Sequence, residues 1–300
     1  TKSGPNNVNI SLPTFRRQVL GSIRSTNANA SACADKPQRK TQLMGPNVGK
    51  KVGKAFELYS ADDVQGALNM LLEITAKGDY DQAVLARYIA VMYATLSDEA
   101  NAIKYLKVAV GPDVLNESDQ GESIKLLADL QMQTKAYEDA LKNYQAWMDF
   151  TCKSDGDTWV KIANANYELK RLDKMIEPAD KAIAAYGDKH NKNPYILKLT
   201  SYYERKQYKN AVKVLETAVQ LFPNEKAFWK QLGNFYLLVE DYERGMATLE
   251  LAYKQDYLEK ESEIKTLSSL YAQNGMPYKA AMLLEKHIAS GLVKRDDKNI

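Results

Sequence analysis

From residue 55 onward, apolar residues recur at helical spacing in paired amphipathic segments, and the pairs themselves repeat. Seven segments align on one form: a turn, an aromatic or apolar residue, two polar residues, a small residue, then an apolar helical stripe. The small position is held by Ala67, Ala102, Ala140, Met175, Ala211, Gly245 and Ala280, spaced 35, 38, 35, 36, 34 and 35 residues apart. The clearest copy runs from Trp229 through Leu232, Gly233 and Tyr236 to Tyr242, Gly245, Leu249 and Ala252. The copy before it reads Tyr195, Leu199, Tyr202, Tyr208, Ala211, Leu215 and Ala218, and Pro223 ends its second helix. Each copy predicts a hairpin of two helices. Small residues let the helices of a hairpin approach closely, and large ones fill the space between hairpins. No hairpin buries its stripe alone, so neighbours must stack into a superhelix.

The departures carry expectations of their own. The fourth copy places Met175 where a small residue belongs and Pro178 within its second helix, behind Trp159, Ile162 and Ala163. An interior proline loses a hydrogen bond and bends a helix unless it falls in the first turn, so a bend or altered hairpin angle is expected there. A polar loop from Gly187 to Pro194 follows. Asp296 to Ile300 reads as the opening of a further hairpin, and no polar-faced cap is visible. The chain is therefore expected to stop short of its natural end.

Composition narrows the class. Of 300 residues, 45% are hydrophobic and 26% charged, enough apolar content to bury a core. No apolar run approaches the roughly 18 residues of a membrane span. Two cysteines are too few for a disulfide-built scaffold. The net charge of +3 is unevenly placed: residues 1–56 hold ten Lys or Arg against one acid, Asp35, so the remainder is acidic. A basic head can serve nucleic acid, an anionic membrane or export, or can be a solvated tail without a partner. Residues 1–44 are expected to be mostly irregular and residues 45–300 to form the repeat array. Ala30-Ser31-Ala32 before Cys33 fits a signal-peptidase site, but the stretch upstream lacks the apolar core of a signal. An altered leader and a chance match both account for this.

Catalytic chemistry finds little to work with. Gly45-Pro-Asn-Val-Gly49-Lys50-Lys51 is one residue short of a phosphate loop, has Lys51 in place of Ser or Thr, and reads as a helix lead-in. His190 and His287 lack partners at ligand spacing, so no metal or cofactor is expected. Cys152 and Cys33 can pair in an exported protein, but spacing does not decide it. The many tyrosines include repeat-core positions such as Tyr93, Tyr202, Tyr236 and Tyr271 and do not form a base-stacking platform. No small-molecule substrate is implied. The basic head lacks interleaved aromatics, which argues against nucleic acid.

The 34-residue period and the pattern of small and large residues resemble the tetratricopeptide repeat (TPR) family. This implies an all-α, right-handed α-solenoid of about seven hairpins that acts as a non-enzymatic scaffold. That family turns its first helices inward. Its groove positions, carried over residue by residue, are Arg87, Lys125, Asp129, Asn164, Tyr167, Thr200, Tyr203, Lys230, Asn234 and Lys265. Such a lining implies an extended peptide bearing carboxylates as partner, with proline rings on tyrosine faces. Charge reversal at Arg87, Lys125 and Lys230 is expected to weaken binding and leave folding intact. Lys230 and Asn234 echo the carboxylate clamp of co-chaperone repeats, but Ser262 and Thr266 stand where the next repeat wants Lys and Asn.

Further stretches carry a narrower resemblance: Gly45 to Val52 leading into Ala55–Tyr59, Leu126–Leu130, Asn193–Lys198 running into Tyr202–Lys206, Phe235–Tyr242 and Lys260–Leu267. Together they are similar to periplasmic TPR proteins encoded beside TonB–ExbB–ExbD energy-transduction systems in Gram-negative bacteria. The resemblance implies a periplasmic location and a TonB-system component as partner. The rival readings are an outer-membrane or cell-wall assembly scaffold, lipid-anchored at Cys33, and a cytoplasmic regulatory or nucleic-acid adaptor using the basic head.

Overall fold

Turn geometry repeats more strictly than any side chain in this protein. A computed structural model describes Cys33, Lys36 and residues 39–295; Ala30–Ala32 and Asp296–Ile300 lie outside them. Asp62, Ser97, Lys135, Lys170, Lys206, Glu240 and Gly275 all have φ between 57° and 73°. Each stands five residues before the small residue of its repeat. The amide after each left-handed residue donates to a carbonyl five residues back, as from Asp63 N to Leu58 O (2.9 Å) and from Asp241 N to Tyr236 O (2.8 Å). This closure satisfies orphan carbonyls of the first helix and reverses the chain. In three hairpins the next residue, Asp63, Asp98 or Asp241, caps the second helix through its carboxylate.

The left-handed region disfavours a side chain by roughly 1 kcal/mol. Lys206→Gly and Glu240→Gly are therefore each expected to stabilise the protein by about 1 kcal/mol, and Gly275→Ala to destabilise it by at least as much. Urea unfolding of the three variants checks this, and stability unchanged in both glycine variants would refute it.

The helices fall into two units, one ending at Arg171 and one starting at Leu172. The first unit contains α1 (Pro46–Ser60), α2 (Val64–Leu72), α3 (Asp79–Thr95), α4 (Glu99–Val110), α5 (Glu117–Gln133), α6 (Tyr137–Thr151) and α7 (Gly156–Glu168). The second opens on a 3-10 turn, Leu172–Met175, followed by α8 (Ile176–Tyr186), α9 (Asn193–Glu204), α10 (Tyr208–Leu221), α11 (Lys226–Leu238), α12 (Tyr242–Lys254), α13 (Glu261–Gln273) and α14 (Pro277–Ala289). This is the all-α hairpin architecture that the repeat predicts. Gly45-to-Lys51 is not a lead-in: Gly45 is the N-cap of α1 and Pro46 occupies its first turn.

Within each unit the core is shared between neighbouring hairpins. Leu68, Leu71 and Val52 of the first hairpin pack with Leu85, Ile89 and Met92 of α3. Ala140, Tyr144 and Trp147 of α6 pack with Ile124 and Ala128 of α5 and Ile162 of α7. In the second unit Ala211, Leu215 and Ala218 of α10 pack with Phe228, Leu232 and Tyr236 of α11. Every small residue of the repeat is buried. At the α11–α12 crossing both sides are glycine: a Cβ on Gly245 would stand 2.5 Å from Leu237 Cδ2 and 3.3 Å from Gly233 O.

Pro178 falls under the exception for a first turn, so it gives no reason for a bend within the helix. Leu172–Met175 is wound as 3-10 and passes directly into α8, which begins at Ile176. Pro178 thus sits in a first turn, where its missing N–H costs nothing.

Among the described residues of the basic head, Lys36, Arg39 and Gln42 are docked and not solvated as a free tail would be. Lys36 Nζ pairs with Glu117 (2.7 Å), donates to Phe150 O and lies 3.9 Å from the centre of the Phe150 ring. Arg39 donates to the carbonyls of Asp113 (2.9 Å) and Leu115 (3.0 Å) and pairs with the Asp113 carboxylate. Gln42 exchanges hydrogen bonds with Asn116. A Cys33–Cys152 disulfide, with Cα atoms 5.8 Å apart, ties this strap to the end of α6. A sulfur so bonded is not free to carry a lipid thioether at the same time.

Candidate interaction groove

The first helices of consecutive repeats are joined by ion pairs about one period apart. Arg87 on α3 pairs with Glu122 (2.9 Å) and Asp119 (3.2 Å) on α5. Lys125 on α5 pairs with Asp155, the N-cap of α7 (2.7 Å), and lies 4.2 Å from the Trp147 ring centre. Asp129 accepts from Lys161 on α7 (2.7 Å) and from the buried Tyr144 hydroxyl (2.5 Å). Tyr144 lies well above the ordinary phenol range, because burial and then the bond to Asp129 disfavour its anion. In the second unit Lys192 pairs with Glu225 (2.5 Å), Lys226 with Glu259, and Lys230 with Glu263 (3.0 Å), joining α9, α11 and α13.

These pairs are committed. Burial alone would raise the Asp155 and Glu263 carboxyls. Lys125 with the Thr158 amide, and Lys230 with the Glu259 and Lys260 amides, hold them below the usual range instead. Arg87, Lys125 and Lys230, three of the predicted groove cations, are thus neutralised by the next repeat. Reversing Arg87, Lys125 or Lys230 would set carboxylate against carboxylate, so such variants are expected to cost stability as well as binding.

The sequence-predicted residues separate by unit. Arg87, Lys125 and Asp129 form the ion-pair rungs of the first unit. Asn164 is half-buried on α7, and Tyr167 is approached by Lys170 (5.0 Å to the ring centre). In the second unit Thr200, Tyr203 and Asn234 line one cleft, while Lys230 and Asn234 line a smaller pocket of ≈ 120 Å³ with Ser262, Glu263 and Thr266. Lys265 joins neither lining and pairs with Glu261 on its own helix (2.8 Å).

The larger cleft, ≈ 520 Å³, lies between α9 and α11. Its floor is Leu199 and Phe228, both buried, and its walls are Ile196, Tyr203 and Leu238, exposed by 42%, 53% and 50%. Tyr203 and Tyr208 pack around Phe235, with ring centres 5.8 and 6.2 Å from it. Sequence reasoning missed Ile196, Gln231, Phe235 and Leu238. The signal was present: 196, 200 and 203 on α9, and 227, 231, 234 and 238 on α11, form helical stripes separate from the core stripe.

Among the described residues no group of three or more His, Cys, Asp or Glu is arranged to hold a metal, and no helix is long and apolar enough to cross a membrane. His190 packs edge-on to Phe222, and His287 Nε2 lies 3.1 Å from the Tyr253 hydroxyl.

Comparison with known proteins places this architecture. The C-terminal part of a TPR repeat-containing protein from Cytophaga hutchinsonii superposes with a TM-score of 0.55 at 16% identity, covering 83% of this chain and 97% of that one. The structure of Naa15/Naa10 bound to HypK-THB gives a TM-score of 0.60 at 16% identity, covering 91% of this chain and 39% of that one. In sequence, the general transcriptional corepressor ssn6 of Schizosaccharomyces pombe is 28% identical over 104 residues, or 33% of this chain and 8% of that protein. No family model matches the chain. At these identities the likeness shows the fold: helical hairpins of the TPR type, as in α-solenoids.

Proposed function

We propose that this chain is a non-enzymatic interaction scaffold that holds a protein segment against the first-helix face of its second unit. The observation that carries the reading is the cleft between α9 and α11, where Ile196, Tyr203 and Leu238 stand uncovered beside a buried apolar floor. Large apolar side chains grouped in a concavity mark interaction sites more often than isolated exposed ones do. The finer reading is an accessory of a TonB–ExbB–ExbD system in the periplasm. Its support is the sequence resemblance from Cys33 to Ile300, together with a disulfide of the kind that persists in oxidising compartments. Two of the ten cations of the basic head, Lys36 and Arg39, are engaged by Glu117 and Asp113 and so are not offered to nucleic acid.

The test is affinity capture with the intact oxidised chain from periplasmic and cytosolic extracts in parallel, with Leu238→Asp as control. TonB or ExbD should be enriched from the periplasmic extract and reduced about tenfold by the variant. Capture of cytosolic proteins or nucleic acid alone would overturn the periplasmic assignment. Capture indifferent to Leu238→Asp would overturn the cleft.

A further inference from the structure

The geometry points to an uncharged occupant: we infer that the α9–α11 cleft takes an extended, neutral stretch of polypeptide anchored by one bulky apolar side chain. The inference rests on the cleft reading above and specifies the chemistry of the partner.

Charge is the first argument. Of the residues lining the cleft, only Lys192 and Glu225 are ionised, and they satisfy each other at 2.5 Å. The cations further along α11 are likewise spent, Lys226 on Glu259 and Lys230 on Glu263. A ligand carboxylate entering here would leave water for apolar walls and find no free counter-ion, and a ligand ammonium would fare no better. The carboxylate-bearing peptide implied by the family resemblance is therefore a poor match for this cleft.

Hydrogen bonding is the second argument. Gln231 and Asn234, one turn apart on α11, both line the cleft and are exposed, and neither side-chain amide makes a hydrogen bond among the described residues. A side-chain amide offers a donor and an acceptor together, matching the alternating N–H and C=O groups of an extended backbone. Hydroxyl oxygens add acceptors: Thr200 on α9 and Thr266 in the adjoining pocket that shares Asn234 give their protons to Ile196 O and Ser262 O and keep lone pairs for a ligand amide, with Ser262 beside them.

Size is the third. Ile196 to Tyr203 is seven helical rises, about 10 Å, and Ala227 to Leu238 is eleven, about 16 Å. An extended chain advances about 3.3 Å per residue, so roughly three to five ligand residues span the walls. The floor of Leu199 and Phe228, beneath a cleft of ≈ 520 Å³, accepts one large side chain from that span.

Phage-displayed dodecapeptides selected on the full oxidised chain test this. The best binder is then titrated by fluorescence anisotropy at about 50 and about 500 mM NaCl against wild type, Ile196→Asp and Leu238→Asp. Both substituted positions are half-exposed, so the variants should keep the parent circular dichroism. The expected binders carry a bulky apolar residue flanked by uncharged ones, change Kd less than about twofold with salt, and weaken about tenfold or more in each variant. Acidic or basic binders that weaken about tenfold with salt, yet still require Ile196 and Leu238, would overturn the neutral occupant and leave the cleft standing. Binders indifferent to both substitutions, or no binders at all, would overturn the cleft and the inference with it.

Discussion

Cys152→Ser is expected to lower the stability of the first unit by about 4 kcal/mol. The Cys33–Cys152 bond closes a loop of 119 residues that contains α1 to α6. Cross-linking so long a segment removes chain entropy from the unfolded state, and loops of about 100 residues give about 4.7 kcal/mol on that account. A domain is stable by only about 5–15 kcal/mol, so the loss is a large fraction of the whole. Part of the strap outlives the bond, because Arg39 and Gln42 hold the 113–116 turn through hydrogen bonds of their own. Reduction should therefore release residues near Lys36 first and destabilise α1 to α6 without detaching Gln42. Urea unfolding with and without reductant, read by hydrogen exchange on α1–α6 amides, gives the number. A difference below about 0.5 kcal/mol would mean that the bridge does not restrain the unfolded chain.

What the sequence made legible follows from which interactions are local or periodic. The small residues revealed the hairpins because they sit where the helices pack closely, as Ala211 and Gly245 do, and six of the seven copies keep Ala or Gly there. The left-handed turns stayed hidden because six of the seven are occupied by Asp, Ser, Lys or Glu, and Gly275 alone announces itself. Their fixed offset of five residues before the small position is nonetheless periodic and can be read once known. The groove was half legible. Thr200, Tyr203 and Asn234 were found by position and do line the cleft. Lys230 was assigned to a ligand although its partner, Glu263, stands 33 residues on. Searching each cation for an acid one period ahead would have paired Lys192, Lys226 and Arg87 as well. The strap had no such signal, since Lys36 and Phe150 are 114 residues apart and meet once.

Met175→Ala tests where periodicity misleads. Five of the seven repeats carry Ala at this position and one carries Gly, so matching the majority looks stabilising. The local structure points the other way. In this repeat the second helix starts as a 3-10 turn, Leu172–Met175, and becomes α-helical only at Ile176. The turn is held by Ser201 of α9, whose hydroxyl donates to Leu172 O (2.5 Å) and is itself approached by Arg205 (3.1 Å). The Met175 side chain in this turn is buried with no exposure at all, so an Ala would leave most of its volume empty. Truncating a buried Met to Ala costs about 2–5 kcal/mol, against a few tenths gained in helix propensity. Met175→Ala should therefore destabilise the second unit by at least about 2 kcal/mol, while the nearly isosteric Met175→Leu should cost less than about 1.5 kcal/mol. Urea unfolding of both variants separates the effects. An alanine variant as stable as the parent would show that this hairpin can close in the regular geometry of its neighbours, and that the 3-10 start is set by something other than the methionine.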